Sequence, residues 1–114
     1  MLLNAAKKIG VVFATVAGAI VFAASPASAA QQCADLRGPE GGTLPLCKSW
    51  VWDGNDYDGR WWTDGPSSLP SHTYLQRSED GSVRNSSFSG SYSDVSKIAF
   101  RLSDSLSGRC SSWW

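Results

Sequence analysis

Val95-Ser96-Lys97-Ile98-Ala99-Phe100-Arg101-Leu102 is the most strictly patterned stretch of the chain. Ile98, Phe100 and Leu102 recur at every second position, with Lys97 and Arg101 among the intervening ones, the period of a strand with one buried and one wet face. Upstream, Glu79-Asp80-Gly81 separates two β-favouring runs at 73–77 and 82–88. Asp-Gly suits a two-residue hairpin because both central positions of that turn need positive φ, so the two runs should pair antiparallel.

Working outward, Leu46-Cys47-Lys48-Ser49-Trp50-Val51-Trp52 combines β-favouring side chains with partial alternation, which puts Trp50 and Trp52 on one face. The next seven residues, 53–59, are rich in Asp, Asn and Gly and read as a turn-forming loop. Arg60-Trp61-Trp62-Thr63 gives another short strand, and Arg109-Cys110-Ser111-Ser112-Trp113-Trp114 the last. About six short strands separated by Gly, Pro, Asp and Ser turns predict an all-β fold, a small antiparallel β-sandwich or barrel over 46–114. Residues 30–45 carry Gly and Pro without periodicity and are expected to form an irregular N-terminal arm.

The N-terminal 29 residues read differently. Lys7-Lys8, an apolar run over 9–24 and Ser25-Pro26-Ala27-Ser28-Ala29-Ala30 follow the order of a secretory signal peptide, with cleavage expected after Ala29 and an extracellular destination. Of the 114 residues, 85 then remain, with eight Lys and Arg against ten Asp and Glu, all six Trp and all three Cys. One domain of this size lacks room for a doubly wound cofactor-binding fold, and no cofactor is expected. A faintly acidic chain without basic clusters offers no footprint for nucleic acid. No apolar run long enough to span a bilayer is left in those 85 residues.

Three cysteines in an exported chain allow one disulfide and leave one thiol over. Cys33 with Cys47 would close a Gly- and Pro-containing loop, whereas Cys47 with Cys110 would tie the first strand to the last; the first pairing is favoured. Cys110 then offers a route to a covalent dimer. A metal site built on these cysteines is not expected, because no Cys-x-x-Cys spacing occurs and His72 is the one histidine.

Catalytic parts are few. No Gly-x-Ser-x-Gly motif accompanies His72, so no catalytic residue is assigned and the chain is not expected to be an enzyme. Asp53, Asn55, Asp56 and Asp58 supply oxygen ligands, but their spacing fails the calcium-loop pattern, since Gly54 falls where the first carboxylate should stand. A solvated turn is the expectation there. Paired glycosidase carboxylates are disfavoured too, because surface-turn acids lack the burial that raises a general acid's pKa.

The tryptophans are the strongest functional signal. Six exceed what one small core can hold, and adjacent pairs in strands point to opposite faces, so part of Trp61-Trp62 and of Trp113-Trp114 should be exposed. Arg60, Trp61, Trp62, Trp113 and Trp114 are accordingly the candidate binding residues, for an extracellular carbohydrate or protein partner. The alternative places the aromatics in the core.

Residues 95–102 followed by Gly108-Arg109-Cys110-Ser111-Ser112-Trp113 resemble a C-terminal strand pair of small secreted Gram-positive, actinobacterial-type β-sandwich proteins. In that pattern a cysteine near the position of Ser103 bridges to the one before Ser-x-Trp, so the resemblance implies that Cys110 has lost its partner and that Cys33 pairs with Cys47. His72-Thr73-Tyr74 and Trp113-Trp114 are similar to segments of lactococcin-type bacteriocins, and Arg60-Trp61-Trp62 is similar in kind to the Trp-Arg-Tyr triplet of tendamistat-type amylase inhibitors. These likenesses imply an antagonistic secreted protein as the alternative function.

Overall fold

A computed structural model of the protein describes residues 29–114; the signal peptide expected over 1–29 lies, but for its last residue, outside them. The described chain is all-β, with seven antiparallel strands in two sheets and no helix. In chain order they are β1 (Ala30–Arg37), β2 (Thr43–Trp52), β3 (Tyr57–Thr63), β4 (Thr73–Glu79), β5 (Ser82–Ser86), β6 (Gly90–Val95) and β7 (Ile98–Asp104). One sheet runs β1-β2-β3-β6, the other β5-β4-β7.

The hairpin at Asp80-Gly81 forms as its residues dictate. Glu79 pairs with Ser82, and Asp80 and Gly81 adopt φ of 54° and 89°. The alternating run forms a strand only from Ile98 on, where Phe100 and Leu102 are fully buried on the inner face of β7; Val95 ends β6, and residues 96–97 carry the chain from one sheet to the other. Leu44 and Leu46 from β2, Leu36 from β1 and Trp61 from β3 meet Leu75, Phe100 and Leu102 across the gap, and that contact is the core.

Residues 30–45 are not an irregular arm. They hold β1, a tight turn through Gly38–Gly42 and the start of β2, with Cys33 directly opposite Cys47 in the ladder. The reason is visible in the burial: β1 is a sheet edge on which only Leu36 is buried, so its strand character resides in backbone pairing. Cys33 and Cys47 are joined by a disulfide, and Cys110 is free and exposed.

The C-terminal segment follows the free edge of β7 without becoming a regular strand. Phe100 and Trp114 exchange both backbone hydrogen bonds at 2.8 Å, and Ser103 pairs with Cys110. Between them the Leu102 N–H donates to Ser111 Oγ, at 2.9 Å, and not to a carbonyl. Three residues of the tail thus separate 111 from 114 where β7 needs only two, and the ladder breaks.

Candidate functional site

Strand alternation sorts the five candidate binding residues onto three different surfaces. Trp61 points inward and is 3% exposed; its indole N–H donates to the Ser87 carbonyl at 2.9 Å, and the Arg77 guanidinium lies over its ring at 4.5 Å. It is a core residue and is withdrawn from the binding set. Arg60 and Trp62 face away from the core on the outside of the four-stranded sheet, Trp62 directly opposite Cys47. Trp114 packs on the core beside Phe100, while Trp113, 39% exposed, lies on the far side of the second sheet under Arg101. No single ligand can touch them all.

Another set of residues does converge. On the inner face of β2, positions 44, 46, 48, 50 and 52 form one row: two leucines, then Lys48, Trp50 and Trp52. The leucines are capped by the second sheet, but Trp50 is only half-buried and Trp52 is 47% exposed, its ring meeting Tyr57 edge-on at 5.1 Å between centroids. At this open end lies a cleft of about 270 Å³ lined by Lys48, Trp50, Tyr57, Tyr92 and Lys97, with Gln32, Val95, Ser96 and Ile98 completing its wall.

Each wall residue is held in place by its local sequence. Tyr92 crosses the sheet and donates its hydroxyl hydrogen to the Ser49 carbonyl at 2.6 Å. It can do so because residue 59, directly opposite on β3, is glycine; a Cβ there would lie 2.5 Å from the Tyr92 hydroxyl oxygen. Burial, with the charges of Asp58 and Glu79, pushes the Tyr92 phenol up to about 12. Lys97 sits on the link from β6 to β7, and the hairpin tip clamps that link: the Asp80 N–H donates to the Lys97 carbonyl and the Lys97 N–H to Asp80 Oδ1.

Lys48 is the unusual member. It is 9% exposed, its ammonium lies 4.1 Å from the centre of the Trp114 ring, and burial lowers its pKa from the ordinary 10.5 to about 8. None of the ion pairs among the described residues involves it.

No protein-family model, curated protein or solved structure matches the chain. Function must therefore be argued from this geometry.

Two further groups bear on the chemistry. Asp53, Asp58 and Asp94 bring carboxylate oxygens within 4.8 Å of one another at a bulge in β6, where Asp94 is the extra residue and has φ of 57°. Desolvation and the neighbouring Asp53 and Asp58 raise the Asp94 carboxyl, while N–H donors from Asp56 and Asn55 lower Asp53. Asp94 was not among the acids singled out from the sequence, because only the pairing of β3 with β6 brings it to that loop. At the opposite end of the second sheet, His72 Nδ1 lies 3.8 Å from Asp104 Oδ1. Among the described residues no hydrogen bond joins the imidazole to a serine or cysteine.

Lys48, Trp50, Tyr57, Tyr92 and Lys97 were all missed as site residues. One signal was present in the sequence: Lys48 shares the spacing of Leu46, Trp50 and Trp52, so an amine had to lie on the apolar face. Tyr92 and Lys97 join it only through the crossings between sheets.

Proposed function

We propose that the protein is an exported, non-catalytic binding module and that its ligand is a carbohydrate taken into the cleft beside Trp50. The observation that carries this reading is the concave, aromatic-walled space at the open end of the sandwich. Flat aromatic faces bind the apolar C–H face of a sugar ring, while the lysines, Gln32 and Ser96 supply hydrogen bonds at its edge. A protein partner would call for a broad flat patch with a buried aromatic anchor. The candidates outside the core are instead dispersed, exposed Arg60 and half-buried Trp62 on one face and Trp113 on another.

The intramolecular disulfide fits an oxidising compartment. Among the described residues the cleft walls contain no carboxylate and no histidine.

Co-sedimentation of the purified protein with insoluble cell-wall polysaccharides tests the proposal. Trp50→Ala should weaken retention by about tenfold or more, whereas Trp62→Ala should leave it unchanged. Retention lost with Trp62→Ala and kept with Trp50→Ala would place the site on the outer face and refute the cleft.

A further inference from the structure

We propose that the sugar ring bound in the cleft carries an anionic substituent, with the ring against Trp50 and Tyr57 and the negative group between Lys48 and Lys97. This rests on the reading of the cleft as a sugar site and adds the charge of the ligand to it.

The lining is the first support. It holds two lysines and no acid, in a chain where acids outnumber bases by ten to eight once residues 1–29 are removed. Two amines thus line this cleft without a carboxylate among its walls, and low-dielectric walls strengthen their field there.

Lys48 is the second. A buried ammonium is costly unless paired and hydrogen-bonded. Among the described residues it has the Trp114 ring face as its compensation and no carboxylate or carbonyl partner. An arriving anion would complete the coordination that the fold leaves open. Two neighbouring acids point their hydrogen bonds elsewhere, since Asp80 accepts from the backbone N–H of Lys97 and Asp56 accepts from Ser96 Oγ at 2.6 Å, and no ion pair among the described residues includes either lysine. The Lys97 ammonium thus stands at the mouth without being drawn off by Asp80.

Size is the third. At about 270 Å³ the cleft is slightly smaller than the low end of drug-sized pockets, about 300 Å³, and suits one ring with its substituent rather than an extended chain. Lysine recognises an anion as a point charge, so carboxylate, phosphate and sulfate share the required chemistry.

Calorimetric titration of the signal-processed protein at pH 6.5 and low salt distinguishes these sources. The probes are glucose, galactose and mannose, each as the neutral sugar, the uronate, the 6-phosphate and the 6-sulfate, with inorganic phosphate alone as a further arm. At least one anionic form should bind about tenfold or more tighter than its neutral parent, and which form does so identifies the substituent. Lys48→Met should bring the two within about twofold, because it weakens the anionic form far more than the neutral sugar, which loses one hydrogen bond and no charge partner. Lys97→Met, on an exposed link where folding is not at stake, should reduce the preference in the same direction. Equal binding of neutral and anionic sugars by the wild type would overturn the anionic proposal and leave the sugar site standing. Binding of no sugar would overturn both. A preference that survives both lysine substitutions, or inorganic phosphate binding as tightly as any sugar, would also overturn the proposal.

Discussion

The two ends of β2 share a strand, a face and a spacing, yet they do different work. Leu44 and Leu46 are fully buried in one apolar cluster with Leu75, Phe100 and Leu102. Two and four residues further on, the same face presents Lys48 and Trp50 to a cleft that the second sheet reaches only with Ile98, at the start of β7. One end is therefore closed by aliphatic packing and sets stability. The other is left open, lined by rings and amines, at some cost to stability. The inner row of β2 changes from leucine to lysine and tryptophan where the packed core gives way to the cleft proposed as the binding site.

The largest effect that would break this contrast is at the closed end. Leu46→Ala should lower unfolding free energy by about 3 kcal/mol, since truncating a fully buried leucine removes transfer energy and leaves a cavity. Trp50→Ala should cost under about 1 kcal/mol in the same denaturant titration while weakening retention on polysaccharide by about tenfold or more. Similar losses of stability at both positions would show that the open end is core.

Removing the cross-link comes next. Cys33→Ser with Cys47→Ser frees a 14-residue separation and should cost about 2–3 kcal/mol, because the edge strand β1 buries little side chain to replace it. Protease susceptibility should rise first in β1. If stability is unchanged, the edge is held by its ladder alone.

The pH dependence sharpens the comparison further. Lys48 has a pKa of about 8 in the folded protein against 10.5 when unfolded, so above pH 8 the unfolded chain binds more protons and stability should rise with pH. Tyr92 acts in the opposite sense, because its phenol is held at about 12 against 10, and stability should fall again above pH 10. Thermal unfolding of a Cys110→Ser variant, which avoids disulfide exchange, should show a gain of up to about 2 kcal/mol between pH 8 and 10. In Lys48→Met that gain should vanish. A flat profile in the parent would mean that the ammonium is well solvated.

The smallest expected effect is the most specific. At pH 7 Lys48→Met should stabilise the protein by about 1 kcal/mol, since it exchanges a buried charge for an apolar chain of similar length. A destabilised variant would show that the amine has a structural partner.

Much of the fold could be read from local sequence, and particular elements show why. The Asp80-Gly81 hairpin and the alternating face of β7 depend on neighbours along the chain, so residues alone specify them. β1 escaped notice because only Leu36 enters the core and only Ala34 packs against it, so its order comes from pairing with β2. The tail was expected as a strand and is only a partly bonded edge, for Ser111 replaces a carbonyl with its hydroxyl. The binding set fared worse. Alternation correctly split each Trp pair between two faces, but which faces they were depended on where the second sheet lands, and no local pattern encodes that. The same dependence hid the cleft, whose walls come from β1, β2, β3, β6, the link at 96–97 and the first residue of β7.

The account stands most directly on where ligand binds. Amide chemical shifts recorded while the acidic sugar with the highest affinity is titrated into the protein should move at Lys48, Trp50, Tyr57, Tyr92 and residues 96–98, with the Trp62 and Trp113 indole signals unmoved. Shifts confined to Arg60, Trp62 and their neighbours on the outer face, with the cleft silent, would contradict it.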